Sequence, residues 1–324
     1  MRPFYLFLLA APLIFLSTLT AHAQTDLSGF AGQYVARIGQ RNFAVLNLTV
    51  GGDHKLGGTL TVPKQMGFST GITISSSTAL TEPITKLERA GSQLRLIVQN
   101  PTDSTDTSTF DLSLEPAGQP TLTIVYPGFH FDPWPLVRVP PLPIQTLATD
   151  WDPRRIYQLD DSDVSSPEMQ RLYDEDQKAR QTMPASKAEG VKMFRDDGDR
   201  RVAAKKLLDN NALHTGEDFE HAAFLFQHGD TPDDFLLAHT LALVAIAKGQ
   251  SSAIWIASAT FDRYLNAIKQ PQIYGTQFFP QPGTGWTQEP YNRTLVSDAL
   301  RRQLGVPSLA SQEKQLEQYK ATTK

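Results

Sequence analysis

The sequence predicts an α+β chain of two domains: an antiparallel β barrel or sandwich first, then an α-helical bundle of antiparallel helix hairpins. Three observations predict it. Apolar residues alternate with period two from Gly29 to about Val139, seven prolines crowd between Pro127 and Pro153, and beyond Ser165 the apolar period changes to about 3.6. The divisions that follow are a leader over 1–23, the β domain over 24–139, a Pro-rich linker over 140–165 and the helical domain over 166–324.

The leader has the parts of a secretory signal. Arg2 gives a positive start, Phe4 to Leu19 form an apolar core, and Ala21-His22-Ala23 supplies a small-x-small site. Cleavage after Ala23 and a periplasmic or secreted product are expected; the competing reading is a retained anchor, for which the apolar run is short. No later segment is long and apolar enough to span a bilayer, so no membrane association is expected after cleavage. The 324 residues less this leader suffice for two hydrophobic cores. Cysteine is absent, so an exported chain must be held by packing alone, without disulfides or a lipid-bearing thiol. The formal charge of −4 carries no basic stripe, which excludes nucleic acid as an expected partner.

In the β domain, nine runs read as strands: QYVARI, NFAVLNLTV, KLGGTLTVP, GITIS, ITKLERAG, QLRLIVQN, STFDLSLEP, TLTIVYP and PLVRV. Short links such as Gly51-Gly52-Asp53 and Ala90-Gly91-Ser92 suit hairpins. Eight or nine antiparallel strands escape exposed edges by closing into a barrel or stacking as a sandwich. A barrel of about eight strands is filled by side chains or holds one small ligand, and the filled core is the expectation. The prolines of the linker fix φ and remove donors, so that stretch is expected to run extended, with Trp134 and Trp151 available to dock it.

Helices are expected over Pro167–Thr182, Gly198–Asn211, Glu217–His228, Pro232–Lys248, Ser252–Ile268, Leu295–Leu304 and Ser308–Lys320. Thr215-Gly-Glu-Asp218 and Thr231-Pro-Asp-Asp234 each place a threonine cap three residues before an acid. Gly229 and Gly249 stand where left-handed C-terminal caps belong. The core faces read as Phe219, Ala222, Ala223 and Phe226; Leu236 and Leu243; and Ile254, Ala257, Phe261, Leu265 and Ile268.

Chemical motifs are scarce. His214, His221 and His228 recur at sevens, and residues seven apart on a helix stand about 10.5 Å apart along the axis, too far to share one zinc. His221 and His228 are read as a half-exposed face and His239 as a hydrogen-bonded core histidine. G-x-S-x-G, the P-loop and G-x-G-x-x-G are all missing, and nothing calls for a cofactor. The pairs Asp160-Asp161, Asp196-Asp197 and Asp233-Asp234 are explained by caps and loops. The densest polar stretch is Trp255–Phe278: Asp262 and Arg263 sit in a helix, and Gln272, Tyr274, Thr276 and Gln277 in the loop after it. Either the acid and arginine tie the loop down, or the group receives a ligand.

Asp176-Gln177-x-x-Arg180, Gln227-His228, Asp262-Arg263, Gln272-Ile-Tyr274-Gly275-Thr276-Gln277 and Arg301-Arg-Gln-Leu-Gly305-Val-Pro-Ser-Leu309 together resemble the signature of a bacterial family classed as a domain of unknown function. The resemblance spans about Glu168 to Leu309; the chain departs from it in Gln-His-Gly, where Gln-His-Ala is the pattern, and in its added β domain. It carries no activity. It implies that Asp176, Arg180, His228, Asp262, Arg263, Gln272, Tyr274, Thr276 and Gln277 form one polar cluster.

Two functions are therefore expected in competition. One is a non-catalytic envelope protein whose helical domain binds a peptide, glycan or protein partner. The other is a hydrolase or transferase in which His228 or Asp262 is the base and Arg263, Tyr274 and Gln277 position a polar or anionic substrate. The second requires His228, Asp262 and Tyr274 to converge.

Overall fold

The computed structural model describes residues 27–67, 72–74, 78–114, 118–143, 146, 151–182, 184–282 and 285–322. The expected leader and its cleavage site lie outside the described residues. Along the chain come β1 (Gly32–Ile38), β2 (Arg41–Val50), β3 (Leu56–Pro63), β4 (Met66–Gly67), β5 (Ile72–Ile74), β6 (Ala79–Ala90), β7 (Gln93–Gln99), β8 (Thr107–Ser113), β9 (Thr121–Val125) and β10 (Trp134–Val139). Eight of these close into an antiparallel barrel in the order β1-β10-β9-β8-β7-β6-β3-β2. The alternatives of barrel and sandwich resolve to the barrel, in which each strand pairs with its neighbour in sequence once β4 and β5 are set aside.

The register shows how the alternation fills it. Tyr34 faces Leu46 and Leu46 faces Leu60, while Leu94 faces Leu112 and Leu96 faces Phe110, all of them buried. The intervening residues point outward, where Arg95 clasps Asp111 across the strands with two bonds of 2.8 Å. GITIS is not a barrel strand. Its central residues, β5, pair instead with β4 and with β11 (Ile156–Tyr157) in a three-stranded sheet.

The stretch expected to run extended is folded over 151–163. Trp151 and Tyr157 are buried in the same cluster as Val35 and Val45, the outward residues of β1 and β2, and their rings meet edge-on at 5.3 Å. Trp134 belongs to β10 and packs edge-on against Phe43 at 4.7 Å. Prolines removed donors, but large rings on an otherwise exposed sheet face supplied the burial that folds the segment. Two acids complete it. Asp161 is bound by Arg155 and, from the helical domain, by Lys248, while its carbonyl accepts from Gly39; Asp163 takes Arg41 at 2.6 Å.

The helices are α1 (Pro167–Ala179), α2 (Lys187–Asp209), α3 (Gly216–Phe226), α4 (Pro232–Ala247), α5 (Ile254–Ala267), α6 (Asp298–Gln303) and α7 (Leu309–Thr322), with a hairpin of β12 (Phe279–Gln281) and β13 (Gly285–Thr287) between α5 and α6. Both threonine capping boxes form. Helix α2 starts eleven residues before its expected Gly198, because Ser186 caps Glu189 and Gly198 is carried through without a break. Gly249 has φ +91°, as a left-handed cap does. Gly229 does not; it is glycine because a Cβ there would come within 2.1 Å of the Asp234 Cβ. The expected face of α4 is corrected. Leu236 and Leu243 are exposed, and Ala238, Leu241, Ala242 and Ala245 are buried. A helix apolar on every side offers no periodic signal to choose among faces.

Candidate functional site

Helix α1 is seated first. The backbone N–H of Ser166 donates to Asp218 Oδ1 at 2.8 Å, joining the start of α1 to the capping box of α3. Met169 and Leu172 are buried along that contact, and the Tyr173 ring stacks on His221 at 3.9 Å. His221 is thus buried rather than half-exposed, since α1 covers the face that the spacing left open. One turn on, Asp176 lies beside His228, two residues past the end of α3.

Around Asp176 the charges interlock. Arg180 Nη1 lies 2.9 Å from Asp176 Oδ1, and Arg180 Nη2 lies 3.0 Å from Asp197 Oδ2 on α2. Arg200, one turn beyond Asp197, bonds its other oxygen and brings Nε within 3.7 Å of Asp176 Oδ1. His228 Nε2 stands 3.9 Å from Asp176 Oδ2, beyond hydrogen-bond reach. Arg201 holds the backbone in place by donating to the His228 carbonyl and pairing with Asp230 at 2.7 Å.

Arg263 enters from α5. Burial pulls its pKa below the usual guanidinium range, and the positive charge of Arg180 adds to the effect. It has no carboxylate partner among the described residues, and its Nε is a buried donor without an acceptor. His228 Nε2, Arg200 Nε and both the Nδ2 donor and the Oδ1 acceptor of Asn266 are likewise buried without a hydrogen-bond partner among the described residues. Burial, then the charges of Arg180 and Arg263, push the His228 pKa down to about 3, so the imidazole is neutral. Burial raises Asp176 to about 6 against the opposing pull of Arg180 and Arg200. The group holds the guanidiniums of Arg180, Arg200 and Arg263 against the carboxylates of Asp176 and Asp197. Positive charge is in excess, with donors unspent.

Asp262 is one residue away in sequence and belongs to a different structure. Its Oδ1 accepts from the N–H groups of Ile273 and Tyr274 at 2.8 and 3.1 Å. Its Oδ2 accepts from the N–H and hydroxyl of Thr276 at 3.0 and 2.8 Å. Gln272 closes the loop on itself, giving Nε2 to the carbonyls of Gln277 and Gln288 and accepting from Gln277 N–H at 3.0 Å. Gln277 in turn donates to the Ala259 carbonyl at 3.2 Å. Gly275, at φ +80°, leaves room for Tyr291 and Gln312, which a Cβ would strike. The nine sequence candidates therefore divide. Asp176, Arg180, His228 and Arg263 come together; Asp262, Gln272, Thr276 and Gln277 form a loop latch whose polar groups are satisfied internally. The carbonyl of Tyr274 joins the latch by accepting from Tyr291 and Gln312, while burial raises its phenol above the usual range.

Several functional or supporting residues escaped the sequence reading. Asp197 is among the acids explained by caps and loops and Arg200 is not singled out, although their spacing of three within one helix is the available signal. Asn266, three residues after Arg263, carried the same signal. Arg301 is fully buried, bonding Tyr291 Oη at 2.9 Å and the Val296 carbonyl, and locks α6 to the loop. His239 donates through Nδ1 to the Ala257 carbonyl at 2.8 Å, hydrogen-bonded as expected but half-buried.

Comparison of the chain with family models, with curated proteins and with solved structures returned no match.

Proposed function

We propose that the protein is an exported, non-catalytic binding protein whose helical domain receives an anionic group of a peptide or glycan at Arg180, Arg200, Arg263 and His228. One observation carries this reading: the half-buried Arg263, without a carboxylate partner among the described residues and with a buried Nε that nothing there accepts, beside three further polar side chains with unspent atoms. An unpaired buried charge costs several kcal/mol, and a ligand anion is the natural means of offsetting it. The excess of guanidinium over carboxylate fixes the sign of that ligand. The motif resemblance, taken as a proposal, includes Arg180, His228 and Arg263 but not Arg200.

The catalytic alternative is altered by the geometry. Both oxygens of Asp262 are occupied by the loop, which removes it as a base. Asp176, held up to about 6 within 3.9 Å of a neutral imidazole, is the group on which a hydrolase or transferase reading would rest.

Phosphate, sulfate and acetate titrated at constant ionic strength, with melting temperature and calorimetric heat as readouts, test the binding reading. At least one anion is expected to raise the melting temperature of the wild type and to leave Arg263→Met unmoved. An equal response from both proteins, or from neither, overturns it.

A further inference from the structure

A second recess lies at the open end of the barrel, far in sequence from the charged cluster. The opposite end is plugged: Tyr34 donates to the Phe30 carbonyl at 2.9 Å, and the Arg138 guanidinium stands 5.8 Å from its ring. At the open end, by the close of β3, β7 and β9, the interior is left as a cavity of about 610 Å³. That volume suits a small organic ligand. The expected filled core thus holds for most of the barrel and stops short of one mouth.

The walls and the rim differ in chemistry. Val62, Leu80, Phe110, Ile124 and Trp134 form an apolar wall. Register sets Glu82 among them, because it pairs with Leu60 and so shares that residue's inward face. Among the described residues no hydrogen bond or ion pair engages its carboxyl. Burial, reinforced by Asp106, holds it above the usual carboxylate range, as befits an acid lacking a positive neighbour. Lys64 is also on the lining and forms no ion pair with either acid. Over the rim stand Tyr126 and Phe129, 60% and 69% exposed, with their rings edge-on at 5.5 Å. Large aromatic side chains left this far in water at the lip of an apolar cavity are contact surface in search of an occupant.

We propose that the barrel mouth binds an organic cation with an apolar body, an alkyl- or arylammonium, seated with its charged head at Glu82 and Asp106 and its body against the interior wall. Three features select this class. The two acids outnumber the single lysine, aromatic faces attract ammonium groups, and the wall accepts hydrocarbon. A neutral amphiphile would use the wall and waste the acid. An anionic one would face it.

The test uses the fluorophore N-phenyl-1-naphthylamine as reporter in the mature protein, displaced at pH 7.4 by decylammonium, decanol or decanoate, each below its micelle concentration. Decylammonium is expected to displace it at about tenfold lower concentration than decanoate, the size of effect that one charge-assisted contact supplies. Glu82→Gln should abolish most of that preference and leave decanol unchanged, and Asp106→Asn should reduce it in part. Phe129→Ala should weaken all three. Calorimetry of decylammonium alone checks that the reporter is not the cause. No heat and no displacement, or decanoate equal to decylammonium, overturns the proposal. Arg263→Met is expected to leave these titrations unchanged, which separates this site from the anion site.

Discussion

Asp262 and Arg263 are consecutive residues of one helix, and their surroundings could hardly differ more. Asp262 is fully buried with four donors on two oxygens. Arg263 is half-buried, with a buried Nε donor that nothing accepts and no acid to pair with it among the described residues. The difference separates scaffold from site. The loop after α5 satisfies both oxygens of its buried carboxylate, whereas the group around Arg263 leaves several polar atoms unspent, an arrangement that a bound anion would complete. A turn of roughly 100° per residue sends the two side chains to different sides of α5, which is how neighbours come to serve opposite ends.

The largest way to break the comparison is Asp262→Ala. Three buried backbone N–H groups would lose their acceptor, and the loop carrying Gln272 and Gln277 would lose its anchor. A loss of about 3–5 kcal/mol is expected by urea denaturation. A loss below about 1 kcal/mol would mean that the latch is not what holds the loop.

Next in size is a test of the site's protons. The folded pKa of Asp176, about 6, stands above its ordinary 3.8, so folding favours the protonated acid. Stability from this group rises as pH falls through about 6 and levels off below 3.8. The folded pKa of His228, about 3, stands below its ordinary 6.5, so its contribution is present above 6.5 and is lost as pH falls toward 3. Between pH 4 and 6 the two oppose each other. Urea midpoints across that interval should change little for the wild type. Asp176→Asn is expected to lose about 2–3 kcal/mol on going from the upper to the lower pH, and His228→Gln to gain a similar amount. Identical slopes for all three proteins would show that these groups do not titrate as a pair.

Arg263→Met sharpens the contrast from the other side. Without ligand, removal of an uncompensated buried charge is expected to stabilise the fold by about 0.5–2 kcal/mol, opposite in sign to the neighbouring Asp262→Ala. Chemical denaturation in buffer free of multivalent anions measures it. Destabilisation would mean that Arg263 is structural after all.

Much of this architecture was legible in the sequence, and the failures have physical causes. Period-two alternation with short turns reads as a barrel because an antiparallel sheet with one buried face imposes it; GITIS shows the same alternation in a different sheet, and alternation does not name a partner. The caps at Thr215 and Thr231 were legible because capping is local chemistry. The burial of His221 was not, because it depends on α1, far away in sequence. The candidate residues were gathered correctly into one domain and wrongly into one cluster. Spacing along a loop cannot tell a carboxylate whose partners are the loop's own N–H groups from one that faces another helix.

The smallest effect tests whether scaffold and site are mechanically linked. Thr231 caps α4 through Asp234, and Asp234 also accepts from Asp230, the residue that Arg201 holds while it bonds the His228 carbonyl. Thr231→Ala should cost about 1 kcal/mol, the ordinary price of a lost N-cap. Because Arg201 fixes His228 independently of that cap, the anion response should stay within about twofold of the wild type, a difference of only a few tenths of a kcal/mol. If anion binding falls along with stability, the segment from His228 to Thr231 is a coupling element, and the division between a satisfied scaffold and an unsatisfied site does not extend to the loop that joins α3 to α4.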